Sequence, residues 1–298
     1  MNKIPIAVIG TGNIGADLCE RILVNEDLHL VSVIGRRSNS PGLKRLQGRV
    51  PGARDDGAVG LRDVIAEVDG VLDATSATDH IEHWNIARDA GKWMIDLTPS
   101  RIGTPWVPIL RDVMPEMAVQ PQSCRNLSMV SCGGQSAAPI VRALSESSKG
   151  VQYVEVSSSI AARSAGPATR RNIDNYVEST EGLIQLISRT PNVKSILVLN
   201  PSEPPVMMRT TVHIEAEWTD VEKAQILLDR LVESLQAYVP GYAISVPAHS
   251  PRKGVVSATA RVEGAGFFLP SFAGNLDIIN AAAVEAARLL GRPLPTEG

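Results

Sequence analysis

Short apolar runs alternate with helix-like patterns through the first half of the chain. The runs are apolar without interruption, which is typical of parallel strands that are buried on both faces. The predicted strands of this half are 4–9, 28–34, 70–74, 93–97 and 127–130. Helical spacing between them predicts a first helix that ends near Val24 and further helices at 79–90 and 133–148. Residues 4–34 therefore form one β-α-β unit.

The second half has longer runs in which apolar and polar residues partly alternate. This pattern is typical of a sheet with one open face. The predicted strands are 151–161, 195–199, 207–218 and 255–262, and the predicted helices are 169–188, 221–239 and 276–290. We expect an α/β fold with one domain formed by 1–131 with 275–298 and an α+β domain formed by 132–274. The last helix is expected to pack back on the first domain.

The first strand runs into a glycine-rich turn that has the spacing of a dinucleotide-binding fingerprint. In that fingerprint the first glycine permits a tight turn, the second lets a pyrophosphate approach the backbone, and the third lets helix and strand pack closely. N–H groups at the helix start would bind the phosphates. The alternative is a plain strand–helix turn. The predicted cofactor-binding residues of this turn are Gly10, Thr11, Gly12, Asn13, Ile14 and Gly15.

The end of the second strand bears on the choice between NAD and NADP. An acidic residue normally holds the NAD ribose at this position, but the chain reads Gly35-Arg36-Arg37-Ser38. Guanidinium groups match the oxygens of a phosphate, so Arg36 and Arg37 favour a 2′-phosphate and therefore NADP. NAD stays the second possibility, and the two arginines could instead form a solvated basic loop.

Cys132 stands between a predicted strand and a predicted helix, and Gly133 and Gly134 follow it. A thiol at a helix N-terminus is expected to be stabilised as a thiolate, which is the nucleophilic form. A thiolate can attack an aldehyde, and loss of a hydride from the adduct leaves a thioester. A lone cysteine is more often structural, but this setting favours a catalytic role. Cys19 is predicted to lie in the core, and Cys124 is predicted to be incidental.

Composition excludes several other classes of protein. Lys and Arg number 29 against 32 Asp and Glu, a balance without the broad basic footprint of a nucleic-acid-binding protein. The sequence has no apolar run near the ~20 residues of a membrane helix. Three cysteines are too few for a disulfide framework, and no cluster has the spacing of a metal site. We expect a cytoplasmic enzyme without a metal ion.

Motifs along nearly the whole chain resemble one enzyme family. They are GTGNIG at 10–15, DATSA at 73–77, IDLTPSRIG at 95–103, MVSCGGQ at 129–135, SAGPATRRNID at 164–174, NPSEPP at 200–205, AYVPGY at 237–242 and LPSFAGNLDI at 269–278. Through them the chain resembles the acylating acetaldehyde dehydrogenases. These are CoA-dependent enzymes that partner a 4-hydroxy-2-oxovalerate aldolase.

The resemblance implies a Rossmann domain and a second domain for catalysis and dimerisation, as in glyceraldehyde-3-phosphate and semialdehyde dehydrogenases. It implies that Cys132 is the acyl-thioester nucleophile, that a small aldehyde and CoA are substrates, and that NAD or NADP takes the hydride. A homodimer and an aldolase partner are implied as well. Asn275 could alternatively only cap the last helix. Beyond the glycine turn, the implied dinucleotide contacts are Ser164, Ala165, Gly166, Pro167, Asn172 and Asn275.

The chain also departs from the family pattern. Thr210 stands where the family usually has Asp, Phe268 and Phe272 stand where it has Tyr, and the segment 242–262 is shorter. Two alternatives to CoA acylation therefore stay open. One is a semialdehyde dehydrogenase or acyl-thioester reductase that does not use CoA. The other is a low-activity dinucleotide-binding partner subunit.

For several other side chains the sequence allows two different roles. His80 matches a family histidine and could line the nucleotide site or only cap a helix, and His83 is expected at the surface. Arg170 and Arg171 could bind phosphates or form a solvated helix face. A compact apolar substrate pocket is conceivable from Ile160, Phe268, Leu269 and Phe272.

Overall fold

The first part of the chain folds into a parallel sheet in the computed structural model, which describes residues 3–114, 117 and 126–291. The strands are β1 (Ile4–Ile9), β2 (Leu28–Ile34), β3 (Gly52–Arg54), β4 (Gly70–Asp73), β5 (Trp93–Asp96), β6 (Thr104–Pro105) and β7 (Asn126–Ser128). Their order is β3-β2-β1-β4-β5-β7-β6, and all pairs are parallel. This is the predicted Rossmann arrangement. The sequence does not predict β3 and β6, which are too short to show an apolar pattern.

Helices cover both faces of this sheet. They are α1 (Asn13–Leu23), α2 (Pro41–Leu46), α3 (Ala58–Val64) and α4 (Ala77–Asp89). Ile6 and Val8 of β1 pack into a core shared with α1 and α2, whereas Ala7 and Ile9 pack into a second core shared with α3 and α4. Successive strand residues point to opposite faces, so two covered faces require the uninterrupted apolar runs seen in the sequence.

The second sheet has five strands and one open face. They are β8 (Ser148–Ala161), β9 (Val193–Asn200), β10 (Met208–Thr219), β11 (Tyr242–Arg252) and β12 (Val255–Val262), in the order β11-β12-β10-β8-β9. All pairs are antiparallel except β8 with β9. The edge strand β11 is not predicted, because two prolines and several polar residues interrupt its pattern, as an edge position tolerates.

Five further helices join the two sheets: α5 (Cys132–Glu146), α6 (Pro167–Arg171), α7 (Ile173–Ser188), α8 (Val221–Gln236) and α9 (Gly274–Leu290). The single helix predicted at 169–188 is wrong, since Asn172 leaves helical geometry and separates α6 from α7. As predicted, α9 packs back on α1. The exact domain boundaries stay a prediction. None of the helices in the described ranges is long and apolar enough to cross a membrane.

A buried polar network fastens the segment after β12 to the first domain. Asp17 of α1 accepts hydrogen bonds from the main-chain N–H groups of Phe268 and Leu269 at 3.1 and 3.2 Å. Arg21 links Asp17 to Asp277 of α9. The conceivable apolar pocket of Ile160, Phe268, Leu269 and Phe272 is wrong, because this network holds Phe268 and Leu269 against α1 and only Phe268 lines a cavity described below.

Candidate active site

Two cavities adjoin each other at the carboxyl ends of the parallel strands. The glycine-loop cavity, of about 490 Å³, is lined by residues 10–13 and by the segment after β2. The cysteine cavity, of about 460 Å³, is lined by Cys132 and by side chains of α6, α7 and α9. The residues that line both cavities are Arg36, Ala74, Thr75, Ser76 and Arg171. These shared residues place the two cavities side by side, so that one extended ligand could contact both.

Each glycine of the turn has a distinct steric reason. Gly10 has φ +110°, and a Cβ there would lie 2.5 Å from the carbonyl oxygen of Ala74. A Cβ on Gly15 would lie 1.9 Å from the carbonyl oxygen of Gly10, so α1 approaches β1 too closely for a side chain. Gly12 faces open space and begins α1 without a capping side chain among the described residues. The helix start can therefore receive an anion.

Arg36 and Arg37 both line the glycine-loop cavity. Arg36 is largely exposed, and its Nη1 lies 3.1 Å from Oδ2 of Asp79 in α4. Among the described residues that line this cavity there is no carboxylate. The geometry therefore keeps the predicted basic environment at the end of β2, where a ribose 2′ position would lie.

Cys132 is the first residue of α5 and is half-buried in the cysteine cavity. The side chain of Ser131 caps the helix by accepting a hydrogen bond from the Gly134 N–H at 2.9 Å. The preceding residue, Val130, has φ +62°, which is costly for a β-branched residue and is typical of strained functional turns. Cys132 follows this strained turn directly and lines the cavity.

The ionisation of Cys132 differs from the sequence prediction. Burial raises the pKa of the thiol to about 11, although the Gly133 N–H, the Tyr176 hydroxyl and the Cys132 N–H act to lower it. The helix N-terminus acts in the predicted direction, since the N–H groups of Gly133 and Cys132 lower the pKa, but it does not offset the burial of the thiol. Loss of water around the sulfur outweighs the helix start, because desolvation disfavours the charged form.

The other predicted site residues divide into two groups. Ile14, Asn172 and Asn275 line the cysteine cavity. Asn275 lies inside the first turn of α9, whose N-cap is Ala273, so the capping role is wrong. Its buried Oδ1 has no hydrogen-bond partner among the residues that the structure describes. The predicted residues outside the lining of both cavities are Gly15, Ser164, Ala165 and Gly166, and Pro167 begins α6.

A buried cluster of ionisable residues lies below the wall that the cavities share. His83 is not at the surface as predicted: it lines the glycine-loop cavity, and its Nδ1 lies 2.9 Å from Oδ2 of Asp73. His80 makes the same contact at 2.9 Å but is fully buried and lines neither cavity. The reason is that Asp73, at the end of β4, binds both rings, and Asp96, at the end of the neighbouring strand β5, lies 3.5 Å from the His80 ring. No three His, Cys, Asp or Glu side chains of the described ranges are arranged to hold a metal ion.

The remaining predictions have mixed outcomes. Cys19 is fully buried as predicted, whereas Cys124 lies outside the described residues. Arg170 binds the main-chain oxygens of Ala162 and Ala165, and Arg171 faces both cavities.

Comparison with known proteins identifies the family. Residues 132–270 match the family model described as prokaryotic acetaldehyde dehydrogenase, dimerisation. The acetaldehyde dehydrogenase of Pectobacterium atrosepticum is 38% identical over 288 residues, covering 97% of this chain and 96% of the relative. That of Spirochaeta aurantia is 41% identical over 285 residues, covering 95% and 93%. The chain belongs to the acetaldehyde dehydrogenase family.

Membership confirms the predicted family and the predicted class, an oxidoreductase acting on aldehydes. A solved structure of aspartate semialdehyde dehydrogenase II from Vibrio cholerae, complexed with ASA, is similar with a TM-score of 0.66. It shares 14% identity and covers 97% of this chain and 99% of that one. This likeness confirms the predicted fold.

Sequence reasoning missed several side chains of this acetaldehyde dehydrogenase family site. They are Thr75, Ser76 and Asp79 after β4, and Tyr176 of α7. A usable signal existed for the first three, since hydroxyl and acidic residues that follow a parallel strand gather at the edge where ligands bind. Tyr176 carries no such signal, because its spacing in α7 is that of a core residue.

Proposed function

We propose that the protein is a CoA-acylating aldehyde dehydrogenase that uses NAD(P)+. A small aldehyde, CoA and NAD(P)+ give an acyl-CoA, NAD(P)H and a proton, reversibly. The observation that carries this proposal is that the two cavities lie side by side and share lining residues, with Cys132 in one and the glycine turn in the other. The names of the relatives, acetaldehyde dehydrogenase, favour a short-chain aldehyde.

The residues present fit a nicotinamide dinucleotide. Open space beside Gly12 and the uncapped start of α1 suit its pyrophosphate. The unpartnered Oδ1 of Asn275 suits a donor such as the nicotinamide carboxamide. The bound dinucleotide would supply a hydride acceptor next to the cysteine cavity. Arg36 and Arg37 support NADP over NAD, since they would bind the extra phosphate.

Cys132 supplies the covalent chemistry of the proposal. Its deprotonated sulfur attacks the aldehyde carbon, so that a C–S bond forms and the carbonyl electron pair moves to oxygen. N–H groups at the start of α5 stabilise negative charge there. Loss of a hydride from the same carbon leaves a thioester on Cys132. The CoA thiol gives up its proton to water and its sulfur attacks this thioester, and the bond to Cys132 breaks to return the thiolate.

The open face of the second sheet supports a homodimer. Ser157 and Ser159 of β8 pair with Ile196 and Val198 of β9, and these apolar side chains are 37% and 44% exposed. Thr211 of β10 lies opposite Ser157 on the same face. Small hydroxyl residues flanked by exposed apolar ones suit a flat face that a second copy covers. We propose that two protomers pack through this face, which lies within the part that matches the dimerisation family model.

One assay tests the reaction. Absorbance at 340 nm is followed with short-chain aldehydes and NAD+ or NADP+, with and without CoA, for the native protein, Cys132→Ala and the thiol-deletion control Cys19→Ala. We expect reduction that requires CoA, is lost in Cys132→Ala and persists in Cys19→Ala. Reduction without CoA would instead support hydrolysis of the thioester. No reduction with any aldehyde, in a protein that still binds dinucleotide, would support the low-activity binding subunit.

A further inference from the structure

The proposed reaction needs a thiolate at Cys132, and the cysteine cavity offers few groups that can stabilise one. Among the described residues that line it there is no histidine, and the sole carboxylate is Asp79. Asp79 is engaged by Arg36 at 3.1 Å and by the Ser76 hydroxyl at 2.8 Å. Arg36 and Arg171 also line the cavity, but the groups that act to lower the pKa of the Cys132 thiol are the N–H groups of Gly133 and Cys132 and the hydroxyl of Tyr176.

Tyr176 places a hydroxyl group directly beside the cysteine. A Cβ on Gly133, the residue after Cys132, would lie 1.9 Å from Oη of Tyr176 and 2.9 Å from Oγ of Ser158. The absence of a side chain at Gly133 thus leaves the room that the phenol occupies. Tyr176 is 8% exposed and lines the cysteine cavity.

The Tyr176 hydroxyl is available for this role. Its buried oxygen makes no hydrogen bond of good geometry with any residue that the structure describes, although Ser158, the Cys132 thiol and the Gly133 N–H lie close enough to shift its pKa. Buried polar atoms without a well-aligned partner are uncommon. Burial and the neighbouring sulfur raise the pKa of the phenol well above its usual range. The phenol therefore stays protonated and acts as a hydrogen-bond donor toward an anion.

Behind Tyr176 lie two more buried hydroxyl groups. Oγ of Ser158 in β8 is 3.2 Å from Oγ1 of Thr210 in β10, and these residues are 1% and 0% exposed. Ser158 acts to lower the pKa of Tyr176, so its hydroxyl lies within hydrogen-bonding reach of the phenol oxygen. Two strands of the second sheet thereby position a donor that α7 carries.

We propose that Tyr176 is a catalytic residue whose phenol donates a hydrogen bond to the Cys132 thiolate and so stabilises the charged form of the buried sulfur. When the S–H bond breaks, the proton passes to water and the electron pair stays on sulfur, where the Tyr176 O–H stabilises it. Tyr176 remains protonated throughout. The effect of this single residue opposes the burial of the Cys132 thiol, which disfavours its charged form.

The inference rests on the proposed function but is tested without turnover. The probe is iodoacetamide, and the alkylation rate of Cys132 is measured against pH by mass spectrometry of its peptide, which separates it from Cys19 and Cys124. In Tyr176→Phe we expect the pH midpoint of Cys132 alkylation to rise by one to two pKa units. Below the midpoint, the thiolate at a given pH should then be about ten- to hundredfold less abundant. Tyr238→Phe, which removes a buried hydroxyl outside both cavities, is expected to leave the midpoint unchanged.

Replacement of Tyr176 by 3-fluorotyrosine is a second test of the hydrogen bond from the Tyr176 hydroxyl to the Cys132 thiolate. The fluorinated phenol is a stronger donor of the same shape, so the Cys132 midpoint is expected to fall. If Tyr176→Phe folds, an unchanged midpoint of Cys132 alkylation overturns the proposal. If Tyr176→Phe does not fold, an unchanged midpoint in the fluorotyrosine protein overturns it instead. If the midpoint rises in Tyr176→Phe and falls in the fluorotyrosine protein, but the native protein turns over no aldehyde, the inference about Tyr176 is supported and the proposed reaction is contradicted.

Discussion

Gly15 and Gly182 differ in whether the surrounding structure leaves room for a Cβ atom. At Gly15 a Cβ would meet a main-chain oxygen at 1.9 Å, whereas at Gly182 in α7 it would meet nothing within 4 Å. We expect Gly15→Ala to lower the free energy of unfolding by about 2 to 3 kcal/mol through overpacking and to weaken dinucleotide binding.

Gly182→Ala is the matched control for that change. In a helix interior with open space it is expected to raise the free energy of unfolding by about 1 kcal/mol. Urea titrations of the three proteins measure both effects. A Gly15→Ala protein of native stability would show that α1 does not pack against β1 as closely as described.

Arg36 offers a residue-scale test of cofactor choice. Its guanidinium is exposed and held toward Asp79, so a 2′-phosphate must compete with that pair, which is weak at a surface. We expect Arg36→Ala to weaken NADP+ binding about tenfold, with a smaller effect on NAD+, because only NADP+ loses a charge-assisted hydrogen bond. Calorimetric titration measures both dissociation constants.

The control for Arg36 is Arg62→Ala, which removes an exposed arginine of α3 paired with Glu82 outside both main cavities. Equal losses for NADP+ and NAD+ in Arg36→Ala would contradict the assignment of this residue to the 2′-phosphate. The basic loop would then be a general anion-binding feature.

At the scale of elements, the ends of β4 and β5 share one buried cluster. Burial alone would raise the pKa of Asp73, but His80, His83 and Thr75 hold it at about 2. Asp96 differs, since burial raises its pKa to about 6 against the smaller effects of His80, Ser100 and Thr98. Asp73 and Asp96 also bind the N–H groups of Thr75 and Thr98, both of which line the cysteine cavity. The cluster therefore shapes the loops after both strands.

The raised pKa of Asp96 predicts a pH-dependent stability. The folded protein holds this proton more tightly than the unfolded chain does, so the contribution is full below the ordinary value of 3.8 and is lost as pH rises through about 6. The amide introduced by Asp96→Asn cannot titrate. From pH 4 to pH 7 we expect the native protein to lose up to about 3 kcal/mol of stability relative to this variant.

Denaturant titrations across that pH range measure this difference. Asp89→Asn, which changes an exposed carboxyl at the end of α4, is expected to follow the native protein at every pH. Parallel curves for the native protein and Asp96→Asn would show that Asp96 titrates alike in the folded and unfolded states.

These elements also show what the sequence could predict. Every strand of the Rossmann sheet that is buried on both faces was predictable, because its apolar run has no other explanation. The position of Cys132 was predictable from a strand followed by small residues. The inward turn of His83 was not, since it depends on Asp73, which is ten residues away. The position of the Tyr176 hydroxyl could not be predicted for a similar reason, because it lies next to Gly133 only when α5 and α7 pack together.

At the scale of the molecule, α5 connects the chemistry to the second sheet. The helix begins at Cys132 in the cysteine cavity and then packs against α7, α8 and β10. The helices α5, α7 and α8 cover one face of the second sheet and leave the other open. An association of two copies through the open face would stiffen the sheet that carries Ser158 and Thr210 below the site. Dimer formation and the reactivity of the cysteine should therefore be linked.

The open face makes a prediction about assembly. A lysine in place of Ile196, which lies opposite Ser157 near the middle of this face, would bury an unpaired charge in the proposed dimer. We expect Ile196→Lys to shift the protein from dimer to monomer at micromolar concentration in sedimentation velocity. Ile81→Lys, which alters another exposed isoleucine, in α4 on the first domain, is expected to remain a dimer. A dimeric Ile196→Lys protein would place the interface elsewhere, and the alkylation rate of Cys132 in that protein would then stay at the native value.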